Sequence, residues 1–380
     1  MSARCPDVLI VGAGIVGSAC ALECAESGLR VTVVEEDVIG GGATAAGMGH
    51  IVVMDDSEAQ FRLTHYAVCL WQSLAPSLPA DCEYLHCGTL WVAADDEEMA
   101  DVVRKHDYYA ARGVATHILD AQSLAEAEPN LRRGLAGGLL VPGDGSVYSP
   151  AVARHLIERA QSLGAGLIAR QRVVALTDGS ATFADGATLD AGAVVNATGT
   201  AAPQLTPGLE IQPRKGHLLI TDRYPGFVRH QLIELGYLKS AHVLKSADGV
   251  ASDSVAFNVQ PRLTGQLLIG SSRQFGQNDS AIDGHMLSRM LARAISYMPG
   301  LEALSGIRAW TGFRAATPDK LPLIGRVPGF ERLYVASGHE GLGITTSLGT
   351  AKLLVDAILR RPSAIPSEPY AASRSVAAHA

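Results

Sequence analysis

The sequence predicts an α/β protein: a Rossmann-type domain built on a parallel sheet, joined to a second domain rich in antiparallel strands. Three observations carry this. Asp7–Val11, rich in Val, Leu and Ile, runs into Gly12-x-Gly14-x-x-Gly17 and then an alanine-rich helical stretch. The middle of the chain alternates strands and helices with no second glycine fingerprint of that kind. Pro213–Gly276 is largely alternating, as in Ser254–Val259 and Gln266–Gly270, the pattern of strands with one face covered.

The opening unit is the most informative. Asp7–Val11 has the look of a buried parallel strand. Gly12 permits the tight turn into the helix, Gly14 lets backbone approach a pyrophosphate, and Gly17 lets helix and strand pack closely. The helix N-terminus offers free N–H groups and the positive end of its dipole to phosphate. Gly28 stops the helix, and the next strand, from Arg30 to Val34, closes on Glu35, 23 residues after Gly12. An acid there accepts hydrogen bonds from ribose hydroxyls. On its own this unit marks a dinucleotide site and leaves FAD and a nicotinamide cofactor both open.

The rest follows in order. Val38–Gly49 is an uncharged loop of Gly, Ala and Thr, suited to a flat ring lying against backbone. A helix is expected over Ser57–Leu78 and a strand over Gly88–Ala94. The helix over Asp95–Arg112 opens with acids and carries its basic residues later, as the dipole favours. Thr116–Asp120 and Gly138–Val141 read as strands, Ala121–Glu128 and Ala151–Leu163 as helices. Gly164–Thr177 and Ala181–Leu189, split by Asp178-Gly179, read as a hairpin, and Ala191–Ala197 as a strand entering Thr198-Gly199. His285–Tyr297 is helical, and Tyr334–Thr346 is a strand and glycine-rich turn before a helix at Ser347–Leu359. The Pro/Ser/Ala-rich end from Pro362 is expected to fray, leaving 366–380 as a flexible tail.

Composition narrows the function classes. With 380 residues, 47% of them hydrophobic and 18% charged, the chain is long enough for two domains around a sizeable core. A net charge near −7 and scattered Lys and Arg give no reason to expect nucleic acid. The six cysteines all precede residue 88 and include no C-x-x-C. Cys82, His86 and Cys87 stand close together, but without a second such cluster they read as reduced cysteines near a core, and no metal is expected. No secretory signal or membrane span is visible, so the chain reads as soluble and cytoplasmic.

Four stretches, in order, span nearly the whole chain: the opening unit with Glu35, the loop ending Ala46-Gly47-Met48, Asn196-Ala-Thr-Gly199, and G-F-R-A-A-T-P-D-K-L-P-L-I-G followed by S-G-H-E-G-L-G-I. Together they resemble the FAD-dependent D-amino-acid oxidase family, the group holding glycine oxidase, sarcosine oxidase and the amino-acid dehydrogenases. The resemblance implies an FAD-binding domain from residues 1–50, 143–212 and 312–365, and a substrate domain from 51–142 and 213–311. It places Gly12, Gly14, Ile15, Val16 and Gly17 at the pyrophosphate and Glu35, followed by Glu36, at the adenosine ribose. Thr44 and Ala45 lead into Ala46, Gly47 and Met48 against the isoalloxazine. Val173, or Val174 one step on, meets adenine, and Thr198 and Gly199 approach phosphate or ribitol. Gly338, His339, Gly341, Leu342, Gly343, Ile344 and Thr345 approach the pyrimidine end of the flavin.

For substrate, Arg314 matches the family's carboxylate-binding arginine, a bidentate grip suited to its guanidinium. His50, His339 and Glu340 are candidates for polar contacts, with the Glu340 carboxylate expected to face the substrate amine. The implied chemistry is hydride transfer from the substrate α-carbon to flavin N5, giving an imine that water hydrolyses. No cysteine lies near Arg314–Asp319, so the FAD is expected to be noncovalent. Gly341 stands where glycine oxidase carries an arginine, and H-E-G-L-G-I-T-T looks more like the catalytic subunits of D-hydroxyproline and opine dehydrogenases. The expected substrate is therefore a small amino or cyclic imino acid, with a D-hydroxyproline- or D-proline-type secondary amine preferred. The expected acceptor is oxygen, a quinone or a partner subunit, in a homo- or hetero-oligomer. A glycine- or sarcosine-type oxidase, and an FAD-containing subunit serving electron transfer or assembly, are the alternatives.

Overall fold

Two sheets organise the chain, whose computed structural model describes residues 5–236 and 253–376. The first has six strands in the order Leu323–Arg326, Leu333–Ser337, Ala193–Asn196, Val8–Val11, Val31–Glu35 and Gly166–Ala169, parallel except for the antiparallel edge at Leu323–Arg326. Val8 and Ile10 point into one hydrophobic layer and Leu9 and Val11 into the other, so both faces of the central strand are covered. The helix Ile15–Glu26, small-residued and almost wholly buried, lies between the helices Ser149–Ser162 and Gly343–Leu359.

The second sheet has eight strands in the order Gly306–Ala316, Gln212–Thr221, Leu267–Arg273, Ser254–Pro261, Gln231–Glu234, Thr89–Ala93, Gly137–Val141 and His117–Asp120. All its pairings are antiparallel except Gln231–Glu234 with Thr89–Ala93. Helix starts fall where short polar side chains cap them. Ser57 accepts from the Gln60 N–H, Asp95 from Glu98 and Asp120 from Ser123.

The structure departs from the sequence reading at several places. The loop over Val38–Gly49 contains a helical turn, Gly42–Ala46. The expected hairpin is divided: Gly166–Ala169 joins the six-stranded sheet beside Val31–Glu35. Val173–Thr177, Ser180–Phe183 and Thr188–Asp190 form a three-stranded sheet of their own. The break falls at Arg170, whose left-handed backbone (φ 58°) turns the chain out of the first strand. The last long helix begins at Gly343, four residues before Ser347, so part of the expected turn is helix. The strand Gly306–Ala316 runs unbroken through residue 312, where a domain boundary was expected, and the second sheet therefore carries Arg314. Residues 237–252 of the strand-rich stretch and 377–380 of the tail lie outside the described residues.

The tail is also corrected. Tyr370 is 1% exposed, its hydroxyl donates to the Ala59 carbonyl at 2.6 Å, and Ala372 is buried beside the six-stranded sheet. One tyrosine ring and one alanine methyl in a Pro/Ser/Ala-rich segment are enough to dock it. Tyr370→Ala should cost about 3 kcal/mol, by analogy with other buried aromatic truncations, read as a lower midpoint in urea unfolding.

Candidate cofactor and substrate site

A cavity of about 660 Å³ is lined by the six-stranded sheet's loops at one end and by a face of the eight-stranded sheet at the other. At the first end Gly12 has φ 104°, and a Cβ there would stand 2.7 Å from the Ala197 carbonyl. A Cβ on Gly17 would stand 1.9 Å from the Gly12 carbonyl, so this glycine closes the turn from beneath. Glu35 is locked in place. One carboxylate oxygen accepts from the Ala13 N–H at 2.6 Å and the other from Asp37 at 2.8 Å, leaving lone pairs for ribose hydroxyls. The Thr44 hydroxyl accepts from the Ile15 N–H at 3.0 Å and draws the Gly42–Ala46 turn onto the helix start. Thr198 donates its hydroxyl to Asn196 Oδ1 at 2.7 Å, and Asn196 is itself held by Ala202 and Thr206.

At the other end Arg214, Gly216 and Leu218 from one strand, Gly312 and Arg314 from its neighbour, and Ser271 and Arg273 from the strand on its far side all line the wall. Arg214 pairs directly with Arg314, and Gly216 with Gly312. Both glycines make room. A Cβ on Gly216 would fall 2.4 Å from Arg314 Nη1, and one on Gly312 would fall 2.3 Å from the Ala46 methyl. Arg314 Nη1 donates to the Ser272 carbonyl at 3.0 Å. Burial lowers the Arg314 pKa to about 10, and burial together with the Arg314 charge lowers Arg214 to about 9; both remain cations at neutral pH.

Glu340, left-handed at φ 54°, is fixed by its N–H to the Ala315 carbonyl at 2.9 Å. Its Oε1 is ion-paired with Arg214, while Oε2 has no protein partner. Burial pushes His339 down to about 3, with its Nε2 3.0 Å from the Thr350 hydroxyl. His50 is pushed down to about 4, chiefly by burial, which a hydrogen bond with Asn258 opposes and the Arg262 charge reinforces. Both imidazoles are neutral at pH 7.

Most of the expected residues line the cavity: Gly12, Gly14, Ile15, Val16, Glu35, Glu36, Thr44, Ala46, Gly47, Met48, His50, Val173 with Val174, Thr198, Gly199, Arg314, and His339 through Ile344. Four do not. Gly17 lies under the turn, Ala45 is on the exposed side of the Gly42–Ala46 turn, and Gly338 (φ 79°) packs against Thr317 and Ile211. Thr345 is a clip, its hydroxyl donating to the His50 carbonyl and accepting from the Val52 N–H. Sequence reasoning missed Arg214, Arg273, Lys320, Asp56, Asn258 and Trp91. Alternation in Gln212–Thr221 puts Arg214 with Gly216 and Leu218, but which strand faces them is a long-range pairing.

The depressed histidines have a consequence for stability. Their neutral forms contribute fully above the unfolded value of 6.5, and that contribution is lost as pH falls toward about 4 for His50 and about 3 for His339. Each contributes a slope of at most about 1.4 kcal/mol per pH unit in that window. His339→Asn should flatten the acid loss of Tm between neutral pH and mild acid, followed by scanning calorimetry.

An elongated cavity with a glycine turn, a fixed carboxylate and a hydrophobic strand edge at one end, and small-residue backbone at the other, fits a flavin dinucleotide. Similar proteins agree. The sequence profile of the FAD-dependent oxidoreductase family, DAO, matches residues 7–357. Glycine oxidase of Geobacillus kaustophilus is 29% identical over 385 residues, with 97% of each chain covered. The crystal structure of glycine oxidase from that organism matches with a TM-score of 0.85 at 28% identity, over 97% of this chain and 98% of the other. L-proline dehydrogenase from P. horikoshii has the same fold, with a TM-score of 0.85 at 23% identity over 97% of each chain. Because the matched residues span both sheets and the cavity between them, the chain belongs to the DAO family of FAD-dependent oxidoreductases, and FAD is its cofactor.

Proposed function

We propose that this enzyme oxidises a small amino or cyclic imino acid to its imine, preferring a secondary amine of the D-hydroxyproline or D-proline type. FAD, when bound, would supply the two-electron acceptor for the hydride lost from the substrate α-carbon. The observation that carries the reading is Arg314: a guanidinium in the cavity wall, held at one nitrogen by the Ser272 carbonyl and with further N–H donors to spare. It holds the substrate carboxylate. Glu340 Oε2 takes the amine N–H, while Oε1 stays on Arg214. Met48, Leu218 and Leu268 pack as an apolar cluster beside the wall and keep water from the reacting centre. With both histidines neutral and no acid–base dyad invoked, the residues mainly orient the substrate.

The preference for a secondary amine is supported by Gly341. A Cβ there would meet Arg314 at 3.5 Å, so its absence leaves room beside the carboxylate for a substituent on nitrogen. The relatives named glycine oxidase favour a second reading, a glycine- or sarcosine-type oxidase. The cofactor is held without a covalent bond, all six cysteines being remote in sequence from Arg314. Oxygen, a quinone or a partner subunit accepts the electrons, and the enzyme works in the cytoplasm.

Adding D-hydroxyproline, D-proline, sarcosine and glycine in turn to the yellow protein without oxygen tests the substrate. Bleaching by the cyclic amines ahead of glycine is expected; bleaching by glycine alone selects the second reading, and bleaching by none removes both. Repeating with oxygen or a dye separates oxidase from dehydrogenase. Arg314→Ala should raise KM by roughly two orders of magnitude or more with FAD still bound, and an unchanged KM would sink the role of this arginine. Glu340→Gln should lower kcat and alter its pH profile; the same rate and profile in both proteins would free Glu340 from the amine.

A further inference from the structure

The eight-stranded sheet turns a second polar surface to the cavity, uncharged and three strands across from the one that carries Arg314. Ile233 pairs with Trp91 on one neighbouring strand and with Asn258 on the other, so the three side chains form one row, and all three line the cavity. Residues two apart on a strand share its face, which puts Gln231, opposite Thr89, and Gln260 in a second row behind the first. Beyond Asn258 the front row continues to its partner Gly270, where a Cβ would fall 3.2 Å from the Met48 sulfur. This corner therefore adjoins the Ala46-Gly47-Met48 loop. His50, just past that loop, lines the cavity there and is hydrogen-bonded with Asn258.

These groups hold more hydrogen-bonding capacity than the fold uses. Among the described residues no partner meets the Trp91 indole N–H, His50 Nε2, Gln231 Oε1 or either end of the Gln260 amide, and each of these atoms is buried. Gln231 is nonetheless fixed: its Nε2 donates to the Gly145 carbonyl at 2.8 Å and to the Thr89 hydroxyl at 3.3 Å. Leaving a buried donor or acceptor unmet is costly, and several together mark a surface that something else completes. The charges nearby are already matched. Arg262, whose charge reaches His50, donates to the Val147 carbonyl at 3.0 Å and to Glu83 at 2.8 Å. Lys105, over the Trp91 ring, is paired with Asp55. With His50 itself neutral, the corner suits an uncharged group.

We propose that this corner reads a hydroxyl on the part of the substrate remote from its carboxylate, with Asn258, His50 and the Trp91 N–H recognising it. This rests on the amino-acid-oxidising reading above and narrows its substrate class to a hydroxylated amino or imino acid, hydroxyproline-like rather than proline-like. A hydroxyl both donates and accepts, so it meets the indole N–H and an amide or imidazole acceptor together. A substrate that lacks it leaves those buried groups unmet, and discrimination on that ground is stronger than an apolar pocket provides.

The test is binding of non-oxidisable acids to the FAD-loaded enzyme, followed by flavin absorbance and by calorimetry. The isomers of hydroxycyclopentanecarboxylate are compared with cyclopentanecarboxylate, which differs only in the hydroxyl. The best hydroxylated isomer should bind at least about tenfold tighter, as one more neutral contact in a buried site predicts. In Asn258→Leu and in Trp91→Phe that ratio should fall toward one while the plain acid still binds. General damage to the fold would instead weaken both acids together. Equal affinities in the unaltered enzyme, or no binding by any hydroxylated isomer, overturn the proposal and leave the corner to water. A hydroxyl advantage untouched by either substitution overturns its assignment to this corner. Oxidation is read separately, by bleaching with D-hydroxyproline and D-proline. Bleaching by both at equal concentrations, with no hydroxyl advantage in binding, would sink the hydroxyl alone. A hydroxyl advantage with no bleaching by any amine would sink the reaction and leave the hydroxyl site standing.

Discussion

The pairing of Gln212–Thr221 with Gly306–Ala316 is the constraint on which the substrate end depends. Its register sets Arg214 opposite Arg314 and Gly216 opposite Gly312. The glycine opposite Gly312 makes room for the Arg314 guanidinium, and Gly312 makes room for the Ala46 methyl beside it on the same face. A slip of one residue in either strand would turn that strand's arginine and glycine to the opposite face and break the match between the two pairs. The approach of the Ala46 loop, the placing of the two arginines and the shape of that end of the cavity are thus set by one ladder of backbone hydrogen bonds.

Around that ladder the protein keeps an unusual amount of charge out of water, and it does so by pairing. Arg214 is matched by Glu340, and Lys105, 4% exposed, is matched by Asp55 beneath the cavity. The Lys105 ammonium also lies 4.4 Å from the ring centre of Trp91, whose indole lines the cavity. Removing one member of such a pair strands the other, which is why these groups specify a geometry more than they add stability.

Much of the cofactor end was legible because its signals are local. Gly12, Gly14 and Glu35 sit within one strand-turn-helix-strand unit, and short-range sterics dictate what each must be. Gly17 was legible as a packing residue but lies behind the turn rather than on the cavity. The substrate end was less legible. Arg314 stood out through its motif, whereas Arg214 and Arg273 come from separate strands and converge only through sheet pairing. Lys105 read as a helix-end charge favoured by the dipole, yet the helix turns it inward onto Asp55. Helical periodicity places a residue on a face; what that face meets is a tertiary fact. The tail misled for a related reason, since its Pro/Ser/Ala-rich composition reads as fraying but one tyrosine finds a ready-made slot.

That docked tail does more than finish the chain. Tyr370 grips Ala59 at the start of the helix that follows Asp56, and Arg374 is ion-paired with Asp319, the neighbour of Lys320. Asp56 and Lys320 face each other across the cavity wall. The C-terminal segment therefore works as a brace joining the two elements that bring Asp56 and Lys320 to the cavity wall. A change in the docked Tyr370–Arg374 segment therefore bears on the Asp56–Lys320 side of the cavity before it bears on the glycine turn at Gly12.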